Sequence, residues 1–149
     1  MKVTDELLNK FPCVLRKAIE SKGLEFADTT EIEFGDFEGY RLIRRNNQDK
    51  NTITIDDFKS QAEQIAMGKN LRNVDLDDIG SYSCSVNTEI EPLKLLFKLP
   101  KKNKKIAKGI IRSKYGILKR DIDKGSTHVH WWLFQDADPS GDFEVIEIE

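Results

Sequence analysis

The segment 127–134 constrains the fold most, because it concentrates both histidines and both tryptophans of the 149-residue chain. Its composition favours a β-strand, in which successive side chains project to opposite faces of a sheet. One face then carries both histidines and one tryptophan, namely His128, His130 and Trp132. The other face carries the second tryptophan between two aliphatic residues, namely Val129, Trp131 and Leu133. The second face is the better core face, so we expect any functional surface on the histidine side.

The two tryptophan rings bury a large area each when they are covered, and the simplest expectation is that both lie under helices or loops. An exposed tryptophan would instead mark a contact, because this residue is enriched among binding hot spots. We therefore treat His128, His130 and Trp132 as candidate ligand or interface residues.

The two histidines are also candidate ligands of a transition metal, since their spacing of two places both imidazoles on the same side of a strand. Zinc, iron or manganese would need at least one further protein ligand. The nearby candidates are Asp121, Asp123 and Asp136. The alternative is a pair of sheet-face histidines that hydrogen-bond across strands.

The length of the chain predicts a single domain over residues 1–149, large enough to bury a core without disulfides. Cys13 and Cys84 lie far apart, which suggests neither a disulfide framework nor a paired-thiol metal site, and both are expected to be buried apolar residues. No stretch approaches the apolar length of a membrane span, and the start of the chain has no apolar signal core. These patterns predict a cytoplasmic protein without a membrane partner.

Local signals predict helices in the first two thirds of the chain. Apolar residues at helical spacing follow Thr4, a candidate N-cap, and end at Gly23. Pro12 either kinks this helix or begins a second one. A capping box and apolar spacing predict another helix within 54–68, and Pro92 favours a helix rather than a strand in the stretch that follows it.

The remaining segments have β character and predict an α+β fold, with a mostly antiparallel sheet on which the N-terminal and central helices pack. Alternation on both sides of a glycine-containing turn predicts a hairpin within 31–43. Further strands are expected at 81–86, in a meander at 105–112, 117–122 and 127–134, and at the end of the chain at 143–148.

Basic residues are strongly segregated along the chain. The stretch from Pro92 to Arg120 holds 11 of the 24 lysines and arginines and no acid, which leaves 13 bases against 26 acids elsewhere. Such a stretch can neutralise phosphates, with aromatic residues such as Phe97 and Tyr115 stacking on bases. The candidate anion-binding or nucleic-acid-binding residues are Lys98, Lys101, Lys102, Lys104, Lys105, Lys108, Arg112, Lys114, Lys119 and Arg120.

Two observations oppose direct nucleic-acid binding: the chain has no recognisable nucleic-acid-binding motif, and its pI is about 5.8. The basic stretch can equally be a solvated face or meet an acidic protein. The stretch from Asp136 to Glu147 matches part of a calcium-loop template, but a strand precedes it and no helix can follow it. We do not expect calcium there, since a turn rich in aspartate, proline and glycine explains the same residues.

Three functional hypotheses remain. The leading one is a small, non-enzymatic binding or regulatory protein that engages nucleic acid or another anionic partner through residues 94–120. The second is a metal-dependent enzyme or ligand-binding protein centred on His128 and His130. The third is a protein inhibitor or immunity-type module, in which the acidic tail, 136–149, could dock on the basic face of the chain itself. No nucleophile elbow or phosphate-binding glycine loop is present, so nothing in the sequence requires catalysis.

Overall fold

One antiparallel sheet of seven strands organises the computed structural model, in which residues 3–26, 29–31, 35–44, 52–98, 104–121 and 126–147 are described. The strands follow the order β1-β5-β6-β3-β2-β4-β7 across the sheet, and all neighbours are antiparallel. Their bounds are β1 Thr29–Glu31, β2 Phe37–Arg44, β3 Cys84–Asn87, β4 Lys104–Ile111, β5 Gly116–Asp121, β6 His128–Leu133 and β7 Phe143–Ile146. The expectation of an α+β fold with a mostly antiparallel sheet is confirmed.

Within the described residues, the chain forms four α-helices, namely α1 Asp5–Leu8, α2 Cys13–Lys22, α3 Gln61–Ala66 and α4 Glu91–Phe97. Thr4 caps α1, and its hydroxyl oxygen accepts a hydrogen bond from the Leu7 amide at 3.2 Å. Pro12 begins a second helix rather than kinking the first, and that helix ends at Gly23 with a left-handed φ of 66°.

The expected helix within 54–68 is present but divided. The capping box at Thr54 and Asp57 opens a single 3-10 turn, Ile55–Phe58. A second capping box at Ser60 and Glu63 then opens α3. Pro92 lies in the first turn of α4, as its fixed φ favours.

Strand pairing differs from expectation in two places. The hairpin expected within 31–43 is not seen among the described residues, because β1 pairs with β5 at one edge of the sheet whereas β2 lies between β3 and β4, and residues 32–34 of the expected first strand lie outside the described residues. In the expected meander, β5 and β6 are neighbours, but β4 pairs with β2 and β7 instead of β5. Both differences have one cause: local alternation predicts that strands form, while their pairing depends on which distant surfaces bury each other.

The sheet is curled rather than flat. Three strands lie between β4 and β5 in the sheet. In a flat sheet with the usual strand spacing of about 4.8 Å, these two strands would be about 19 Å apart. The connection from Ile111 to Gly116 covers at most about 18 Å when fully extended, and it contains a compact 3-10 turn, Ser113–Tyr115. The rings of Phe143 in β7 and Trp131 in β6 lie 6.5 Å apart, although three strands also separate those two. Curling brings the distant strands together.

The concave side of the curled sheet encloses one core. Every strand from β2 to β7 contributes to it, with Phe58 added by the 3-10 turn before α3. Its buried members are Ile43, Phe58, Cys84, Val86, Ala107, Ile111, Leu118, Val129, Trp131 and Phe143.

The convex side carries a second core, where α2, α3 and the 3-10 turn Ile79–Tyr82 cover the end of β6. Its buried members are Phe11, Leu15, Ala18, Phe26, Ala62, Ile79, Tyr82 and Trp132. Strand β6 lies between the two cores, with Val129 and Trp131 in the concave core and Trp132 in the convex core. The histidines of this strand alternate with Val129 and Trp131 and therefore lie on the convex side. Within the described ranges, no helix has the length and apolarity needed to cross a membrane.

Candidate functional site

Three rings form a ladder along the convex side of β6. The imidazoles of His128 and His130 meet edge to face with centroids 4.5 Å apart, and His130 stacks on Trp132 at 5.1 Å with an interplanar angle of 25°. Alternation along the strand produces this ladder, because residues two apart project from the same side. The expected division of this segment into two faces is confirmed.

Trp132 is the buried base of the ladder. Its ring is 0% exposed, meets Phe26 edge to face at 4.7 Å, and donates a hydrogen bond from Nε1 to the Ile79 carbonyl at 2.9 Å. A ring with no exposed surface cannot touch a macromolecular partner, so Trp132 does not serve as the interface residue that its sequence position suggested. It holds His130 in place, and both tryptophans are buried as expected.

Ser83 fixes the orientation of His130. The Ser83 Oγ atom lies 2.7 Å from His130 Nδ1 and 2.8 Å from the carbonyl oxygen of Gly80. A hydroxyl has one proton, and the carbonyl can only accept it. Both contacts are satisfied when Ser83 donates to Gly80 and accepts from a protonated Nδ1 of His130.

Gly80 allows the turn to approach the imidazole closely. A Cβ atom added there would lie 2.9 Å from His130 Cε1, which is shorter than an ordinary contact. The turn is itself fixed by Asp78, whose carboxylate accepts from the Gly80 amide at 2.9 Å. His130 is therefore held from one side by this turn and from below by Trp132.

Polar residues of the neighbouring strands flank the two histidines. Asn87 of β3 is directly opposite His128, and Lys119 of β5 is directly opposite His130. Directly opposite residues of antiparallel strands project from the same side with Cβ atoms about 5 Å apart. Thr127 donates to Asn87 Oδ1 at 2.9 Å, which orients that side-chain amide. We call the polar part of the convex side the histidine face, formed by Ser83, Asn87, Lys119, His128 and His130.

A transition-metal site at His128 and His130 lacks a third ligand in the described part of the chain, where no group of three His, Cys, Asp or Glu residues can hold an ion. Asp136, one expected partner, lines a cleft beside α2 instead. Asp123 and the side chain of Asp121, the other expected partners, fall outside what the structure describes.

Two acidic residues of the calcium-loop template, Asp138 and Asp142, form contacts within the chain. The Asp138 carboxylate accepts hydrogen bonds from Ser140, which lower the pKa of that carboxyl below 3.8. Asp142 receives two hydrogen bonds from Arg112, at 2.9 and 3.2 Å, which raise the pKa of that guanidinium. Phe143, in the middle of the template, is part of the concave core.

The basic segment does not form one continuous surface among its described residues. Its basic residues on β4 and β5 project from both sides of the sheet, because Lys104 and Lys105 are adjacent in one strand and Lys119 and Arg120 are adjacent in the other. Lys105 and Lys119 are buried, on opposite sides of the sheet. Lys101 and Lys102 lie outside the described residues.

Several of the remaining basic residues bind groups of the chain itself. Lys104 donates to the Leu96 carbonyl at 2.7 Å, and Lys105 donates to the Thr52 carbonyl. Lys108 pairs with Glu38 at 3.3 Å, which raises the pKa of that ammonium. The basic residues left exposed at separate places are Lys98, Lys114 and Arg120.

The cysteines differ in exposure. Cys13 is exposed at the start of α2, beside a cleft of about 380 Å³, so the expectation that it is buried was wrong. Cys13 is the first residue of α2 and lies on the exposed side of this amphipathic helix. Cys84 is buried in the concave core, and burial raises the pKa of its thiol to about 11.

Sequence reasoning missed Ser83 and did not separate Lys119 from its basic neighbours. The alternation of residues 81–86 is the signal that places Ser83 and Ser85 on one side of a strand. Nothing local reveals that this side meets His130, because the pairing of β3 with β6 is long-range.

Comparisons with protein-family models, with curated proteins and with solved structures found no similar protein. The function must therefore be inferred from the geometry of the site itself.

Proposed function

We propose that the protein is a non-enzymatic binding protein whose ligand occupies the histidine face. The observation that carries the proposal is the fixed placement of His130, which is stacked on a fully buried tryptophan and hydrogen-bonded through Nδ1 to Ser83. Side chains held by packing and by hydrogen bonds give up little conformational freedom when a ligand binds. His130 is therefore preorganised.

Binding is favoured over catalysis by the role of Ser83. A serine 2.7 Å from a histidine resembles a nucleophile beside its base. Ser83, however, is 4% exposed, and its hydroxyl donates to a backbone carbonyl. Its contact with His130 orients the imidazole and leaves no route for a substrate to reach the oxygen.

This proposal differs from the expectation that the whole basic segment contacts a polyanion. A polyanion needs several exposed cations in a row, and the described cations are dispersed over both sides of a curled sheet. The segment contributes one residue, Lys119, to the histidine face. We also propose a cytoplasmic location, because neither cysteine is in a disulfide, as is usual in a reducing compartment.

The chain's two histidines make the proposal easy to test by nuclear magnetic resonance. The two imidazole Hε1 signals are followed while inorganic phosphate, succinate, glycerol and acetamide are added separately at millimolar concentrations. His128→Gln and His130→Gln assign the signals. We expect at least one probe to shift the His130 signal saturably. If no probe, charged or neutral, moves either signal, the histidine face is not a binding site for small ligands.

A further inference from the structure

A cleft of about 380 Å³ lies beside the start of α2 and is separate from the histidine face. Three parts of the chain line it: Pro12 and Cys13 at the start of α2, four residues within 55–63, and the run 133–137. None of the five residues of the histidine face is part of this lining. Clefts that hold small organic molecules have volumes of about 300–1,000 Å³, so this cleft is large enough for one such molecule.

Apolar side chains line one part of the cleft. Phe58 belongs to the concave core, and Leu133 packs against that core. Ile55 continues this apolar part toward solvent and is 37% exposed. A ligand with an apolar body would remove part of the Ile55 and Leu133 surface from water, which is favourable in proportion to the area covered.

The charged residues that line the cleft are Lys59, Glu63 and Asp136. Lys59 and Glu63 pair with each other, with 3.6 Å between Nζ and Oε2, so that their charges largely cancel. Asp136 is exposed, and its carboxylate is the remaining charge of the lining. Charge complementarity therefore favours a positively charged ligand over an anion.

An ammonium of the chain already lies at the border of the cleft. Lys10 Nζ is 5.5 Å from the centroid of the Phe134 ring, which lines the cleft, whereas Lys10 itself does not. The face of an aromatic ring attracts a cation. Phe134 and Asp136 are two residues apart in the same run of the chain, so two groups that attract a cation lie close together at this cleft.

We propose that this cleft is a binding site for a small organic cation, namely a primary amine with an apolar body. The ammonium of the ligand pairs with Asp136, and the apolar body covers Ile55 and Leu133. The site goes beyond the function proposed for the histidine face and does not depend on it, because the two sites share no residue.

Cys13 serves as a reporter of the cleft. It lines the cleft and is exposed, whereas Cys84 is buried in the concave core. Iodoacetamide, an uncharged reagent, therefore alkylates Cys13 first, and mass spectrometry follows the rate near neutral pH at constant ionic strength. The probes are benzylamine, benzyl alcohol and benzoate, which share an aromatic body and differ in charge. We expect benzylamine to slow the alkylation saturably at millimolar concentrations, and the other two probes to slow it less than half as much.

Asp136→Asn tests the charge, because it removes the carboxylate and keeps the shape of the side chain. Asp56→Asn is the matched control, since Asp56 is the exposed neighbour of Ile55 and does not line the cleft. We expect Asp136→Asn to weaken benzylamine binding about threefold or more, as for an exposed ion pair, and Asp56→Asn to change it less than about 1.5-fold. Calorimetric titration of Cys13→Ser with benzylamine should give the wild-type affinity, because the thiol only reports binding.

Three results would overturn the inference: equal slowing of the alkylation by all three probes, slowing by none of them, or equal affinity for benzylamine in wild type and in Asp136→Asn. Slowing that is specific to benzylamine and reduced in Asp136→Asn would support it. Either outcome is separate from the proposed function, whose test follows the imidazole signals of His128 and His130.

Discussion

Trp131 and Trp132 are chain neighbours that are equally buried, yet their indole N–H groups differ. Trp132 Nε1 donates to the Ile79 carbonyl, whereas Trp131 Nε1 has no hydrogen-bond partner within the described part of the chain. Alternation along the strand predicted that the two rings point to opposite sides. It did not predict which ring would be hydrogen-bonded, because Ile79 comes from a turn more than 50 residues earlier in the chain.

The same substitution at these two positions should therefore have unequal effects. Trp132→Phe breaks a buried hydrogen bond and leaves the Ile79 carbonyl without its donor. Trp131→Phe removes an N–H group that makes no such bond. We expect Trp132→Phe to lower the free energy of unfolding by about 1–2 kcal/mol more than Trp131→Phe, measured by urea denaturation. Equal losses, or a larger loss at Trp131, would contradict this assignment of the hydrogen bond.

The burial of the Lys119 ammonium leads to a second prediction about a single residue. Lys119→Met replaces a buried charge with an apolar side chain of similar shape, so the ligand-free protein should lose no more than about 0.5 kcal/mol of stability and can gain some. Urea denaturation in a buffer without oxyanions measures this. A loss above about 3 kcal/mol would indicate that the ammonium is paired within the chain.

At the scale of elements, helix boundaries were predictable from local signals in the sequence, whereas the pairing partners of the strands were not. Thr4, Pro12, Gly23 and Pro92 act through the backbone of their own helix, and each acts as expected. The pairing of β2 with β4 joins residues at least 60 positions apart, and no local pattern specifies it. For the same reason the ladder of rings was predictable from β6, whereas its contact with Ser83 was not.

The C-terminal strand β7 belongs to the concave core rather than to a detachable tail. Phe143 is buried, its ring lies 5.0 Å from that of Phe58, and the preceding Asp142 is bound by Arg112. Asp142 contacts Arg112 of the basic segment from the 3-10 turn Ser140–Asp142, and β7 itself pairs with β4.

Mutations in β7 should consequently act on stability. Phe143→Ala should lower the free energy of unfolding by about 3 kcal/mol, because it leaves a cavity in the core. Glu144→Ala, at the adjacent exposed position, should change it by less than about 0.5 kcal/mol. Both are measured by urea denaturation. If Phe143→Ala is as mild as the control, β7 is not part of the core and the tail can detach.

At the scale of the whole molecule, curling of the sheet determines where charge and chemistry lie. The basic segment is one run in the sequence, and composition alone predicted a positive face. The fold divides that run between α4, β4 and β5, buries two of its lysines and binds others to internal acceptors. Charge patterning was thus visible in the sequence, but its distribution over the surface depends on topology.

This distribution predicts weak interaction with nucleic acid. In a gel-shift titration at about 50 mM salt, single-stranded and double-stranded DNA should show no retardation, because few phosphates can be neutralised together. A strongly basic DNA-binding protein serves as the positive control under the same conditions. Tight binding that falls steeply with salt would instead favour the basic segment as the functional surface.

The histidine face as a binding site is tested most directly by locating a small molecule bound to the protein. Crystals are soaked separately with inorganic phosphate, succinate, glycerol and acetamide. We predict electron density for at least one of these probes in contact with His128 or His130. Probes bound only elsewhere, while no neighbouring molecule covers the histidine face, would contradict the account.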